Sequence, residues 1–374
     1  MRPQIDPESH LPYIEPPSHV GLKAIEIPPP YTGTPWLIFI SDVKLFFQNV
    51  FYLLYLFIPL YPWRSGSLCE MYPSRDNLTD IALHLLLSIA QLTFLVSLVT
   101  LAFLPTFTYI GYIAVKNWFQ KNIDRISRTF HRPVTGIHNR TAGVVFDFIQ
   151  CLFQRALLYA TQDVRECYVL VKNALLDDRK KKVIFILHSQ GGIEGGMIID
   201  WLLDEMPLET LQKLEVYTFG NTANHFSNPC RGNDPSLPVI PHIEHYVNDK
   251  DFACRFGVLN FTKHYTQNEN RFAGKVFINR SGGHLLNQHY LDDMLPLDKS
   301  LRKTREVREG DFMNRKVRCR KDGTIKEITR AELPLGFSDS RDDDAANGMI
   351  RLDEVPRIGD LSRLWKYRNG QLPD

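Results

Sequence analysis

Hydrophobic residues are concentrated in two stretches within the first third of the chain. Residues 81–115 contain no charged side chain, and segment 82–104 has about the 20 apolar residues that a helix needs to cross a membrane. Its apolar side chains surround the helix instead of forming one stripe, as in a helix that faces lipid. Segment 45–63 is also apolar, but prolines interrupt it, and its tyrosines and tryptophan suit a membrane interface. We therefore predict an N-terminal transmembrane helical hairpin from these two segments, the first of which either spans the membrane or lies in its interface.

The flanks of this apolar region differ in charge. Residues 1–44 form a polar, Pro-rich arm without the basic-then-apolar start of a secretory signal peptide. Residues 64–80 contain two arginines, whereas five basic residues follow the apolar region, namely Lys116, Lys121, Arg125, Arg128 and Arg132. The positive-inside rule therefore predicts an integral membrane protein whose folded domain lies in the cytosol, in an organelle that the sequence leaves open.

Residues 116–300 have the alternating pattern of an α/β domain. Short apolar runs predict buried strands, and these are Lys182–His188, Leu214–Phe219, Ile243–Val247 and Lys275–Asn279. Longer segments between and around them predict helices, and these are Val144–Ala160, Asp163–Leu176, Ile193–Glu205 and Leu285–Met294. A further short strand is predicted over Arg132–Asn139. Strands that alternate with helices indicate a mostly parallel sheet flanked by helices. Residues 301–374 form a charged C-terminal extension, and either the sheet is minimal without it or the extension completes the sheet.

Composition excludes several classes of function. The chain has 374 residues, with 44 basic and 42 acidic ones, and this balance gives no support for nucleic-acid binding. Its six cysteines are scattered without metal-ligand spacing, which fits reduced thiols and no zinc site. Nucleotide-binding and metalloprotease motifs are absent from the sequence. We therefore expect neither a metal nor an organic cofactor.

The strongest chemical motif is the run VIFILHSQGGIEGG at residues 183–196. An apolar strand leads into Ser189 and then into a glycine-rich helix start, which is the setting of a nucleophile elbow. The amide of Gln190, at the start of the helix, faces the place where an oxyanion develops. The segment resembles the elbow of α/β-hydrolase lipases and esterases, whose usual form is Gly-x-Ser-x-Gly. Here Leu187 stands in place of the first glycine.

The resemblance implies that an acid and then a histidine follow the serine. The run Asp251-Phe-Ala-Cys-Arg is similar to the acid segment of class 3 lipases, while Asp249, which lies nearer the end of the strand, is the alternative. His284 follows the last predicted strand behind two glycines, as the base does in this superfamily. His289, within a predicted helix, is the alternative base.

A second oxyanion donor is expected from the loop after an earlier strand. Residues 134–143 are the suitable segment, in which Gly136 frees the backbone and Ile137 or His138 donates an amide. Asn139 offers a side-chain amide in the same loop, although the loop serves equally well as a turn that caps the next helix.

Together these signals predict a membrane-anchored serine hydrolase that cleaves acyl esters, with lipids favoured because the anchor holds the site beside them. Ser189 is the expected nucleophile, His284 the base and Asp251 its orienting acid. The alternative is a membrane-bound interaction protein on a hydrolase fold that has lost activity, which the leucine in the elbow and the short sheet motivate. The sequence leaves lipid class and oligomeric state open.

Overall fold

The computed structural model describes residues 34–61, 64, 66–98, 107–138, 143–231, 237–263, 272–319, 324–327 and 356–373. The helices in chain order are α1 (Pro35–Asn49), α2 (Arg75–Leu98), α3 (Phe107–Phe130), α4 (Val144–Leu157), α5 (Gln162–Leu176), α6 (Gly191–Glu205), α7 (Leu208–Leu211), α8 (Phe252–Phe256), α9 (Val258–Lys263), α10 (Asp292–Met294), α11 (Ile358–Leu361) and α12 (Arg363–Lys366). A 3₁₀-helix (Val50–Leu56) continues α1, and a π-helix (Leu286–Leu291) leads into α10.

The strands form one six-stranded sheet with the spatial order β1-β2-β3-β4-β6-β5. They are β1 (Val183–His188), β2 (Leu214–Phe219), β3 (His242–Asn248), β4 (Lys275–Asn279), β5 (Val317–Cys319) and β6 (Thr324–Glu327). The first four are parallel, β6 joins β4 in parallel, and β5 closes the edge in antiparallel pairing. All four strands predicted between residues 182 and 279 are therefore present, and the prediction of an α/β fold with a mostly parallel sheet is confirmed.

The two faces of the sheet are covered by different parts of the chain. Helices α4, α5 and α6 pack together on the β1 side, where the rings of Tyr168 and Trp201 meet edge to face. On the opposite face, the stacked rings of Phe219, Tyr246 and Phe277 form an aromatic layer across three strands. Burial on both faces fits the high content of β-branched and aromatic residues in these strands, although β2 and β3 also contain the buried Glu215 and Glu244.

The C-terminal residues 356–373 pack against the sheet. The buried carboxylate of Glu215 accepts hydrogen bonds from the hydroxyl of Tyr367 (2.9 Å) and the guanidinium of Arg363 (3.0 Å). Glu244 accepts one from the backbone N–H of Arg363 (2.8 Å), and Trp365 is buried nearby. With β5 and β6, these contacts show that the charged extension contributes both strands and helices to the α/β domain, which favours the second of the two predictions for it.

Two predicted elements differ from the structure. Among the described residues, no strand occupies 132–138; instead Gly136 lies so close to α3 that a Cβ there would overlap the side chains of Phe119 and Ile123. The segment is therefore tied to a helix and not to the sheet edge. The predicted helix Leu285–Met294 is a π-helix followed by one α-turn, because the carboxylate of Glu70 binds the backbone N–H groups of Asn287 (2.6 Å) and Gln288 (3.0 Å).

The first apolar segment begins earlier than predicted. Helix α1 starts at Pro35, so the predicted end of the polar arm at residue 44 falls inside it. One side of α1 packs on α4, where Asp42 and Arg155 form a fully buried ion pair (3.0 Å). The ring of Phe46 contacts those of Phe148 and Phe252 on the same side.

Helices α2 and α3 form an antiparallel pair. The ring of His84 stacks on Trp118 with centroids 5.3 Å apart, and Lys121 donates a hydrogen bond to Asn77. The predicted span 82–104 corresponds to α2 up to Leu98, and its last residues lie outside the described part of the chain. In the described residues, segments Pro35–Leu56 and Arg75–Phe94 are long and apolar enough to cross a membrane.

Candidate active site

Ser189 occupies the tight turn between β1 and α6. Its backbone is left-handed (φ +57°), a conformation that costs free energy for a residue with a side chain. The turn is held by hydrogen bonds from the Ser189 N–H to the carbonyl of Phe219 (3.0 Å), and from the Gly192 N–H (2.9 Å) and the Thr222 hydroxyl (2.9 Å) to the Ser189 carbonyl. This combination of a strained serine and a strand-to-helix turn is the geometry of a nucleophile elbow.

Leu187, which replaces the first glycine of the usual motif, is accommodated by Gly195 on α6. A Cβ at Gly195 would lie 2.2 Å from a methyl carbon of Leu187 and 3.1 Å from its Cγ. The side chain of Leu187 is buried. Strand and helix therefore approach closely here because the glycine is on the helix and the large residue on the strand.

This packing makes a specific prediction for stability. Replacing Gly195 with alanine is expected to destabilise the fold by about 1–3 kcal/mol, because an added methyl group overlaps a buried side chain. Combining it with Leu187→Ala is expected to cost less than the sum of the two single changes, since the second change makes room for the first. Chemical unfolding of the detergent-solubilised protein, followed by circular dichroism, measures these free energies.

Gly191 provides a matched control at the start of the same helix. No atom lies within 4 Å of the position that a Cβ at Gly191 would take. Gly191→Ala is therefore expected to leave the free energy of unfolding nearly unchanged. Strict additivity of the Leu187 and Gly195 substitutions would contradict this account of the elbow.

The structure brings the predicted Ser189, His284 and Asp251 into one chain of hydrogen bonds. The Ser189 Oγ lies 2.8 Å from His284 Nε2, and His284 Nδ1 lies 2.8 Å from Asp251 Oδ2. In the tautomer that fits both contacts, Nδ1–H donates to the carboxylate and Nε2 accepts from the serine hydroxyl. Since Nε2 then has a free lone pair, His284 is placed to remove the serine proton.

The carboxylate of Asp251 is fully buried and held from several directions. Its Oδ2 also accepts from the hydroxyl of Tyr290 (2.5 Å), and its Oδ1 accepts from the backbone N–H of Ala253 (2.8 Å). Burial alone raises the pKa of a carboxyl group, but the charge and hydrogen bond of His284, together with the bonds from Tyr290 and Ala253, bring the pKa of Asp251 below its ordinary value. The lowered pKa favours the ionised form of Asp251, which accepts the hydrogen bond from His284 Nδ1.

Asp249 and His289, the alternative acid and base, do not bind Ser189 or His284 in the hydrogen bonds described for them. The backbone of Asp249 binds Asn279 (2.9 Å) and Arg255 (2.6 Å), and its side chain is half-buried at the end of β3. His289 is buried, with Nδ1 accepting from the backbone N–H of Leu285 (3.0 Å) and Nε2 facing the carbonyl of Pro59 (2.7 Å). Both ring nitrogens of His289 thus have backbone partners.

Two residues that the sequence does not single out also contact the site. His188 stacks on His284 with ring centroids 4.7 Å apart, and its Nε2 donates to the His284 carbonyl (2.8 Å). Burial lowers the pKa of His188 to about 3, so it stays neutral and adds no charge beside the base. The second residue is Tyr290, described above. In the sequence, the only signals for these contacts are that His188 directly precedes Ser189 and that Tyr290 follows His284 by six residues.

Of the expected oxyanion donors, Gln190 lies beside Ser189, whereas Ile137 and His138 pack against other parts of the protein. Gln190 directly precedes the first turn of α6. Its side-chain amide donates a hydrogen bond to Gln154 on α4 (2.8 Å), so the residue after Ser189 is bound to a neighbouring helix. Ile137 packs against the core, and the ring of His138 lies edge to face on Phe119 with centroids 4.9 Å apart. Asn139 lies outside the described residues. The second oxyanion donor remains a prediction.

Within the described part of the chain, no group of three or more His, Cys, Asp or Glu side chains is arranged to hold a metal ion. The arrangement of Ser189, His284 and Asp251 supports nucleophilic catalysis through an acyl intermediate. Comparison with protein-family models, with curated proteins and with solved structures finds no match to this chain.

Proposed function

We propose that this protein is a membrane-associated serine hydrolase with an α/β-hydrolase-like fold that cleaves the acyl esters of lipids. The observation that carries the proposal is the hydrogen-bonded chain from Ser189 through His284 to Asp251, with the serine in a left-handed turn. A left-handed backbone costs free energy at a residue with a side chain, and such strain is common at functional sites. In a nucleophile elbow it holds the serine hydroxyl above the sheet.

The geometry gives each residue one role in the reaction. The Ser189 Oγ attacks the ester carbonyl carbon while its proton passes to His284 Nε2, and the resulting oxyanion accepts a hydrogen bond from the Gln190 N–H. His284 then gives that proton to the departing alcohol oxygen, which leaves an acyl group on Ser189. Water attacks this acyl-enzyme in the same way, with His284 again taking and returning the proton. Asp251 keeps the His284 ring oriented throughout.

Lipid esters are favoured because exposed apolar side chains lie beside the site. The His284 N–H donates to the carbonyl of Leu56 (2.9 Å), at the end of the 3₁₀-helix after α1. Next to it, Phe51, Leu54 and Phe57 are exposed large apolar side chains. Monomeric soluble proteins rarely expose a continuous surface of this kind, and such surfaces commonly bind membranes, ligands or partners.

A fluorophosphonate probe tests the proposal. It phosphonylates an activated serine, so we expect labelling of the full-length protein in membranes and modification of Ser189 when the labelled peptide is analysed by mass spectrometry. The Ser189→Ala variant is expected to show none. Absence of labelling in a folded wild-type preparation would instead support the alternative of an interaction protein without activity.

A further inference from the structure

The charge-free stretch from residue 81 to residue 115 starts on α2 and ends on α3. Because α2 and α3 are antiparallel, Asn77 near the start of α2 meets Lys121 towards the end of α3. The charge-free stretch between residues 81 and 115 therefore begins and ends at one end of the helix pair.

This end of the pair is attached to the α/β domain. Glu70, which precedes α2, binds the backbone of the π-helix that follows His284. Arg125 of α3 is buried and donates to the carbonyls of Leu291 (3.1 Å) and Leu295 (2.8 Å). The connection between the two predicted spans thus contacts the same domain as the residues after them. A bilayer cannot separate groups that are in direct contact.

Helix α1 leads to the same conclusion for the first segment. Its polar residue Asp42 forms the buried ion pair with Arg155, and the far end of the segment, at Leu56, accepts the hydrogen bond of His284. The middle of α1 and the end of the 3₁₀-helix are therefore both in contact with the domain, as a helix lying along a membrane surface requires.

Large apolar side chains are exposed along α1 and α2, although Lys44 of α1 and Arg75 and Asp76 at the start of α2 are exposed as well. On α1 and the 3₁₀-helix, large exposed side chains lie opposite the packed side, and they are Trp36, Leu37, Ile40, Phe47, Phe51 and Leu54. On α2, the exposed row consists of Leu78, Leu85, Ile89 and Leu92. Another side of α2 packs on α4, where the rings of Phe94 and Phe146 lie edge to face with centroids 6.2 Å apart, so the exposed row is the part of α2 that is open to lipid.

We propose that the chain is monotopic: the α2–α3 pair enters and leaves the bilayer from one side, and α1 with the 3₁₀-helix lies in the interface beside the active site. The occupant of the apolar surface is lipid. Helices α1, α2 and α3 pair their interior backbone groups within the helix, which is what contact with hydrocarbon requires. The inference rests on the membrane association in the proposed function but not on catalysis. It departs from the predicted transmembrane hairpin, which places residues 64–80 across the membrane from the domain.

Cysteine accessibility in sealed vesicles tests this topology. In full-length protein with Cys230 and Cys319 changed to serine, single cysteines are introduced as Ser67→Cys, in the connection before α2, and as Lys181→Cys, on the α/β domain; both parent residues are exposed or at the surface. A membrane-impermeant maleimide added without detergent is expected to label both positions equally, or to spare both equally in vesicles of opposite orientation. Labelling of one and protection of the other until detergent is added would overturn the proposal.

A second measurement identifies the occupant of the surface. A polarity-sensitive fluorophore on Phe51→Cys is expected to shift to the blue when the protein is reconstituted into phosphatidylcholine vesicles, whereas one on Lys181→Cys is not. Failure of the protein to float with vesicles, together with a stable dimer in their absence, would show instead that a second copy covers the surface. All variants are also made with Ser189→Ala, since topology is read without turnover. The same topology in both series, together with no fluorophosphonate labelling of the variants that retain Ser189, would count against the hydrolase alone.

Discussion

Replacing His284 with alanine is expected to lower kcat for ester hydrolysis by about 10⁶-fold, the size of effect seen when one member of a serine triad is removed. Without the imidazole, no group accepts the proton of Ser189, whose hydroxyl lies 2.8 Å from Nε2. The KM value is expected to change little, because the ring acts on the reacting atoms and not on the acyl chain. Turnover of a chromogenic ester by purified protein in detergent measures both constants.

His289 provides the control for this prediction. His289→Gln removes the other histidine of the same segment, whose ring nitrogens face the Leu285 N–H and the Pro59 carbonyl. We expect kcat to fall by less than about tenfold, which corresponds to about 1.4 kcal/mol of transition-state stabilisation. A loss in this variant as large as that in His284→Ala would move the role of base to His289.

The second large effect is expected for Asp251→Asn, with a loss of about 10⁴-fold in kcat. In the variant, an amide group can take the place of the oxygen that binds His284 Nδ1, while the Ala253 N–H retains an acceptor at Oδ1. Donation by that amide holds His284 in the tautomer with the proton on Nε2, which cannot accept from Ser189. Single-turnover kinetics with a chromogenic ester separates this slow acylation from binding.

Asp249→Asn is the matched substitution two residues away. Because His284 donates to Asp251, and the Asp249 backbone rather than its carboxylate makes the bonds to Asn279 and Arg255, we expect near-normal turnover. Equal loss in the two variants would indicate that both carboxylates orient the base and would require a different account of the loop after β3.

The parts of the fold that local patterns can predict are β1 to β4 and the helices around them. Each of these strands is a short run rich in β-branched and aromatic residues, and burial on both faces of a parallel sheet favours such runs. Strands β5 and β6 are different, because they are short and contain charged residues such as Arg318 and Lys326. Their structure depends on pairing with β4, a long-range contact that no local pattern contains.

The start of α1 was predicted too late for a related reason. Asp42 and Lys44 make that region look like the end of a polar arm. The charge of Asp42 is neutralised inside the protein by Arg155, 113 residues further along the chain. Partners at that distance in sequence are visible only in the folded structure.

In the candidate site too, some residues are predictable from local sequence and others only from contacts made on folding. Ser189, His284 and Asp251 each follow a strand in a local sequence that resembles a known pattern, so each was predictable. His188 and Tyr290 act through contacts with those residues, at ring-centroid and hydrogen-bond distances that folding creates. The antiparallel pairing of α2 and α3 could not be predicted from the sequence either. An uncharged stretch has the same composition whether it crosses a membrane or turns back.

The hydrogen bond from His284 to the carbonyl of Leu56 bears on how the protein can be produced. A soluble fragment cut at the limits that the sequence suggests, residues 116–300, would lack this acceptor and the Pro59 carbonyl that binds His289. It would also lack Asp42, the ion-pair partner of the buried Arg155, and strands β5 and β6 of the sheet. Inactivity of such a fragment would therefore reflect the loss of these contacts, and a fragment that keeps them must include α1, β5, β6 and α12.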